Sequence, residues 1–181
     1  MKSVSHPDLK TDRLLLRSLK PADEDNLLIL RSDDRVNFFL DREKKPTPES
    51  VRAWMEKIRN NIEKGGTFYW AICLQNSDTL IGTICLFNYS EEHKSLELGF
   101  ELHPDFQGKG IMKEAAKRVI NFSFKELNVA KLEAWVHHEN LASRKLLESF
   151  KFLIDNELEE FNKALPELKI LRIYSLSISH K

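Results

Sequence analysis

The stretch FELHPDFQGKGIMKEAAKRV, Phe100 to Val119, decides the reading of this chain. It joins an alternating apolar run to a helical one, and it holds two of the chain's six glycines in Gln107-Gly108-Lys109-Gly110. A glycine-rich turn between a strand and a helix lets backbone N–H groups converge on an anion, and the helix N-terminus adds partial positive charge. A nucleoside-triphosphate loop needs Gly-Lys-Ser/Thr before the helix, whereas Ile111 and Met112 follow Gly110 here. A dinucleotide loop needs a third glycine three positions after the second, where Lys113 stands. Both of those phosphate motifs fail. On the glycine pair alone, a tight turn without a ligand is favoured over a different phosphate site.

Upstream of the loop, Leu96, Leu98, Phe100 and Leu102 alternate with Glu97, Gly99 and Glu101, which predicts a strand over 95–102. Thr67–Leu74 and Leu80–Phe87 are rich in β-branched and aromatic residues and flank the turn-forming Gln75-Asn76-Ser77-Asp78, so they predict an antiparallel hairpin. Leu14–Arg17 reads as a first strand, and Lys20-Pro21-Ala22-Asp23 as the start of a helix carrying Leu27, Leu28 and Leu30. Thr47-Pro48-Glu49-Ser50 opens another, with Val51, Trp54, Met55, Ile58 and Ile62 at helical spacing and Gly65-Gly66 as its stop. Downstream, Lys109–Leu127 reads as an amphipathic helix, Lys131–His137 as a strand, Asn140–Ser149 as a helix, and Phe152–Phe161 with Leu168–Ser179 as a closing strand pair. The order β-α-α-β-β-β-α-β-α-β-β predicts one domain over residues 1–181, a mixed α/β sheet with a β-α-β unit at its centre.

Lys plus Arg and Asp plus Glu stand at 28 each, so the chain lacks the basic footprint of a general nucleic-acid binder and no direct nucleic-acid partner is expected. The N-terminal residues contain no apolar core of a signal peptide, and no run approaches the roughly 18 apolar residues of a membrane span, so a cytoplasmic protein without a membrane partner is expected. Cys73 and Cys85 lie in alternating apolar segments and read as small core residues. His137 and His138 are adjacent on a predicted strand, where neighbours point to opposite faces, and no metal site is expected. Trp54, Trp70 and Trp135 read as core or pocket-wall aromatics.

Several segments together resemble the GNAT acyltransferase superfamily. Gln107-Gly108-Lys109-Gly110-Ile111-Met112 resembles its Gln/Arg-x-x-Gly-x-Gly/Ala loop. Thr11-Asp12-Arg13-Leu14-Leu15-Leu16-Arg17 with Asp23 is similar to the TxRLxLR…D opening of the ribosomal-protein N-terminal acetyltransferase (Rim type) branch. Leu96–Leu102 resembles that branch's central strand, Asn140-Leu141-Ala142-Ser143-Arg144 its helix start, Phe152 its closing Gly-Phe, and Tyr174-Ser175-Leu176 its last strand. Three positions depart from the pattern. Met112 stands where the loop usually ends in Gly or Ala, Lys151 replaces the Gly of Gly-Phe, and Leu147 occupies a position where many members use a Tyr as the proton-donating acid.

The resemblance implies the GNAT fold, α/β (α+β), with a mixed, mostly antiparallel central sheet of about seven strands and helices on both faces. It implies acetyl-CoA as cosubstrate, its pyrophosphate held by amides of Gln107, Gly108, Lys109, Gly110, Ile111 and Met112, with Lys109 and Lys113 neutralising phosphates or simply solvated. Phe100, Leu102 and His103 would offer backbone groups to the pantetheine arm, Leu102 N–H serving the oxyanion, and Asn140 would bond the same arm. The implied reaction is direct acetyl transfer to a primary amine in a ternary complex. Glu97 is the first-choice general base and Glu101 the second, unless both merely line a solvated strand face. Ser143 is the candidate proton donor, or else only part of the Asn140 cap. The acceptor is the N-terminal α-amine of a ribosomal or other protein, or alternatively a small amine such as an aminoglycoside, polyamine or amino acid. A non-catalytic acyl-CoA-binding module is the remaining reading. Substrate choice is expected to lie around Val36–Asp41 and in the last hairpin, and the state to be monomer or homodimer.

Overall fold

In the computed structural model, residues 6–42, 45–161 and 168–177 are described. The capping chemistry legible in the sequence sets the helix starts. Thr47 and Ser50 form a reciprocal box in which the Thr47 side chain accepts from Ser50 N and the Ser50 hydroxyl oxygen accepts from Thr47 N; it opens α3 (Pro48–Lys64). Before it, Pro21–Asp23 is a single 3-10 turn leading into α1 (Glu24–Ser32), and a short α2 (Asp34–Asn37) follows. Beyond the glycine loop runs α4 (Ile111–Lys125), and α5 (Leu141–Ser149) starts on the side chain of Asn140.

The strands are β1 (Leu9–Lys10), β2 (Leu14–Arg17), β3 (Phe68–Leu74), β4 (Leu80–Ser90), β5 (Ser95–Leu102), β6 (Lys131–His137), β7 (Leu153–Phe161) and β8 (Leu168–Ser177). They form one sheet in the order β1-β2-β3-β4-β5-β6-β8-β7, antiparallel everywhere except between β5 and β6. The expected count of about seven falls one short because β1 is a two-residue strand with no alternation to reveal it. Residues 178–179, expected to extend the last strand, lie outside the described residues.

Alternation along β3 separates two layers. Phe68, Trp70 and Ile72 join the large cluster under α4, which buries Ala115, Ala116, Val119 and Phe122. Ala71 and Cys73 point the other way, against Leu27, Leu30 and Val51 of α1 and α3. Burying such side chains contributes roughly 1.5–3 kcal/mol each, and the two clusters clamp the sheet between helices on both faces.

The segment that resembles the family's opening is a buried ion network. Arg17 uses all five guanidinium hydrogens: Nη1 and Nη2 reach the Asp23 carboxylate at 2.8 Å each, Nε reaches Asp78 Oδ1 at 2.6 Å, and the backbone oxygens of Ser18 and Asp78 take the rest. The side chains of Arg17 and Asp23 are 4% and 3% exposed. The Asp23 hydrogen bonds hold the guanidinium proton more tightly than usual, against the cost of burial. This pair ties β2 to the start of α1, fixing the helical layer that reaches the site.

Candidate active site

The parallel pair decides where a ligand can enter. β5 and β6 are paired only at Ser95–Lys131, Leu96–Leu132 and Glu97–Glu133. Beyond that point Leu98–Leu102 and Ala134–His137 run without pairing to each other, so the centre of the sheet forks. A cavity of about 400 Å³ lies at the fork, between the glycine loop, the start of α5 and the α2 segment.

The loop supplies its floor. Gly108 and Gly110 have φ of 71° and 75°, the left-handed region that glycine enters without steric cost. That is why this short loop carries both. Gly110 caps α4, whose first intrahelical bond runs from Glu114 N to Gly110 O at 3.0 Å. The amides of Ile111, Met112 and Lys113 precede that bond and have no intrahelical acceptor, the arrangement that suits an anion. Gln107 folds back, donating Nε2 to Leu102 O at 2.9 Å, and so locks the loop to the end of β5. Met112 lines the cavity and packs on the core, so its bulk is placed as a wall beside free amides.

A clamp that sequence reasoning missed holds this loop from behind. Arg13 Nη1 donates to Lys109 O at 3.1 Å, while its Nε and backbone N reach Glu114 at 2.6 and 2.9 Å. Thr11 Oγ1 adds a third bond to Glu114 at 2.6 Å. Burial works against the Glu114 charge, but these hydrogen bonds from Thr11 and Arg13 hold its carboxyl below the ordinary value. The signal was present in Thr11 and Arg13 themselves, but their partner lies 101 to 103 positions away.

The opposite wall carries the titratable groups. Glu101 is the one carboxylate among the described residues lining the cavity, and its side chain is 8% exposed. Its Oε1 accepts from Thr83 Oγ1 at 3.1 Å, and Thr83 in turn accepts from the Tyr69 hydroxyl at 2.9 Å. Burial first, and the Glu101 charge second, push the Tyr69 phenol well above its usual range, so it acts as a neutral donor. Oε2 touches Arg42 Nη1 at 2.6 Å. Ser143 also lines the cavity. Its amide, not its hydroxyl, donates to Asn140 Oδ1 at 3.1 Å, so the cap leaves the hydroxyl for other work.

Of the residues singled out from sequence, the fork gathers Glu101, Ser143, Phe100, Leu102, Gln107, Gly108, Gly110, Ile111, Met112 and Asn140. It does not gather Glu97, which sits at the last paired position of β5, accepts from Asn88 Nδ2 at 2.9 Å and lies away from the cavity wall. Burial raises the Glu97 carboxyl above its ordinary value, Asn88 opposes, and Glu133 adds a smaller push upward. His103 and Lys109 also stay off the wall: His103 Nδ1 accepts from Asp105 N at 3.3 Å, and Lys109 Nζ donates to Asp105 O at 2.7 Å. Lys113 does line the cavity.

Two side readings change. His137 and His138 do not diverge: β6 ends at His137, so His138 turns with the chain and the rings come within 4.8 Å. Trp70 is core, but Trp135 is 41% exposed and does not line the cavity at the fork. Leu147 is fully buried, so the position where many family members keep a Tyr is spent on packing here. Cys73 and Cys85 are free, with burial pushing their thiols up to about 11 and about 12. Among the described residues, no group of three or more His, Cys, Asp or Glu side chains is placed to hold a metal ion. No described helix is long and apolar enough to cross a membrane.

A forked, mostly antiparallel sheet with a glycine-capped helix at the fork defines the acyl-CoA N-acyltransferase class. The chain belongs to the GNAT acetyltransferase family: residues 13–153 match the acetyltransferase (GNAT) domain. It is 31% identical over 169 residues to the uncharacterized N-acetyltransferase p20 of Bacillus licheniformis, covering 93% of this chain and 94% of p20. Its fold is similar to that of RimL, a ribosomal L7/L12 α-N-protein acetyltransferase solved with coenzyme A, at TM-score 0.85 and 16% identity over 95% of this chain and 98% of that one. It is also similar to spermidine N-acetyltransferase from Vibrio cholerae, solved with coenzyme A and spermine, at TM-score 0.80 and 21% identity over 92% and 96% of the two chains. The chain is accordingly an acetyl-CoA-dependent N-acetyltransferase of an amine.

Proposed function

We propose that the acceptor is the N-terminal α-amine of a protein, a ribosomal protein among the candidates, and that Glu101 rather than Glu97 is the base. The observation that carries this is position: among the described residues Glu101 is the one carboxylate lining the cavity that the glycine loop and Ser143 also line. An α-amine, with a reference value of about 7.7–8.0 against about 10.4 for lysine, is partly neutral near pH 7 and asks less of a base. The amine nitrogen attacks the thioester carbonyl, Glu101 takes the ammonium proton directly or through one water, and Leu102 N–H meets the oxyanion. As the C–S bond breaks, the Ser143 hydroxyl relays a proton from solvent to the departing thiolate, Glu101 returns its own proton to solvent, and the C–N bond remains as the amide. Gly108 to Met112 would hold the pyrophosphate, with Asn140 and the free edge of β5 beside the pantetheine arm. Fold similarity does not choose the acceptor, because the two solved relatives above take a protein amine and a polyamine.

Thiol release from acetyl-CoA with a panel of amines tests the assignment. Glu101→Gln should lower kcat by about 10²–10⁴ with the KM for acetyl-CoA unchanged, and Ser143→Ala by less. Glu97→Gln should turn over near the wild-type rate. Unchanged turnover in Glu101→Gln, or a large loss confined to Glu97→Gln, would sink the assignment.

A further inference from the structure

One wall of the cavity comes from a single short segment. Arg35, Val36, Phe39 and Leu40 line it at helical spacing, one side of α2 carried on through the turn that Leu40 N closes on Asn37 O at 3.0 Å. Three of the four are apolar, and the fourth is a cation held in place. Asp33 Oδ1 accepts from Arg35 Nε at 3.0 Å and Oδ2 from Nη2 at 2.6 Å, while Oδ1 also takes the Arg35 backbone N at 2.9 Å. These bonds from Arg35 hold the Asp33 carboxyl down at about 2, so the pair stays ionised. Nη1 is left without a hydrogen-bond acceptor among the described residues. The Arg35 side chain is 65% exposed, whereas that of Asp33 is 15% exposed and does not line the cavity. The cavity therefore faces the cation and not its counter-ion.

The other charges on the wall do not answer it. Glu101, the one carboxylate among the described lining residues, has its charge balanced by Arg42 Nη1 at 2.6 Å. Lys113, the remaining charged side chain, is a second cation and stands in the first turn of α4, beside the open amides that suit the cofactor's pyrophosphate. An acceptor lying against the α2 segment thus meets apolar side chains and one positive charge. We propose that Arg35 is a specificity residue: it selects acceptor amines that carry a carboxylate, which in a polypeptide means an acidic residue just after the reacting N-terminus. The proposal rests on the reading that the acceptor is a protein α-amine. Arginine suits the task because a guanidinium already paired along one edge keeps further donors for a second carboxylate. The same charge works against a polyamine or a lysine-rich terminus, which would bring like charge to an apolar wall.

The test uses the full chain with saturating acetyl-CoA and three tetrapeptide amides that begin with alanine and end with phenylalanine. Their middle pair is two glutamates, two glutamines or two lysines, and amidation removes the terminal carboxylate. The acidic peptide should exceed the basic one in kcat/KM by at least about tenfold, with the neutral one between. The difference should lie in the acceptor KM and shrink by about threefold or more as salt rises from about 0.05 to about 0.5 M. Arg35→Gln should reduce the ratio by about fivefold or more and Arg35→Glu should reverse the order, both with the KM for acetyl-CoA unchanged. Asp33 still caps α2 through the backbone N at position 35, so both variants keep the helix. Equal rates on the three peptides, or a ratio untouched by Arg35→Glu, overturns the proposal. So does a raised KM for acetyl-CoA with the ratio kept, which would give Arg35 to a cofactor phosphate instead. Turnover of spermidine but of no peptide overturns the N-terminal acceptor and this inference with it, and the two failures differ in whether any peptide is acetylated at all.

Discussion

Replacing Arg17 by methionine removes every partner of the Asp23 carboxylate except the Lys20 amide, which donates to Oδ2 at 2.7 Å. Asp23 is 2% exposed as a residue and cannot turn to water without opening the junction of β2 and α1. An uncompensated buried charge of this kind costs about 3–5 kcal/mol, roughly a fifth or more of a stability of about 5–15 kcal/mol. With a urea slope of about 2 kcal/mol per M, the unfolding midpoint should fall by about 1.5–2.5 M with little change in slope. The Asp78 ends of the network contribute little to this figure, because that side chain is 64% exposed and keeps Lys20 at 2.8 Å. The double variant Arg17→Met/Asp23→Leu should regain most of the loss, ending within about 1–2 kcal/mol of wild type, the residue being the Lys20 amide left without its acceptor. Urea unfolding followed by tryptophan fluorescence reads all three proteins. A single-variant loss below about 1 kcal/mol, or a double variant as unstable as the single, would refute the claim that burial of the lone carboxylate is the cost.

Lys151 occupies a left-handed position at φ 68°, where Lys151 N–Glu148 O and Phe152 N–Leu147 O close the end of α5; Lys151→Gly should stabilise the chain by about 0.5–1 kcal/mol, seen as a rise of about 1–4 °C in Tm. Arg13→Met should weaken acetyl-CoA binding about two- to fivefold by freeing the Lys109 carbonyl and Glu114, with kcat at saturation retained; unchanged affinity would show the clamp to be idle. The folded state binds the Glu97 proton more tightly than the unfolded chain, so this group's contribution falls as pH rises from the ordinary glutamate value through the raised one. Glu97→Gln should therefore gain stability over wild type above that window and gain nothing below it; a pH-independent difference in urea midpoint would remove burial as the cause.

Much of the fold was legible because its signals are local. The alternation of Leu96 to Leu102 returns β5 at the expected bounds, and the Thr47/Ser50 box starts α3 where the sequence places it. Gly108 and Gly110 were legible as a tight strand-to-helix turn, and their positive φ supplies the reason. What stayed hidden was set by register and by distance along the chain. Glu97 and Glu101 share a face and a residue type, so nothing local separates them; the three-residue parallel pairing with β6 does, by placing the fork after Glu97 and leaving Glu101 on the cavity wall. Arg42 meets Glu101, and Arg13 meets Glu114, across spans no periodicity can bridge. His138 was misplaced for a simpler reason: a rule for neighbours on a strand was applied one residue past its end.

The fork also gives the molecule a seam. Three residue pairs and the crossover of α4 are all that carry the sheet from β5 to β6, although both strands lie at its centre. Strand edges are usually a hazard at the rim of a sheet, where a stray chain can dock; here two of them face each other indoors, out of reach of anything but a slender ligand. Amide exchange at Leu98 to Leu102 should thus be faster than burial alone suggests, and slow sharply once a ligand lies in the seam. The middle of this sheet, rather than its ends, would be the place where occupancy is written into stability.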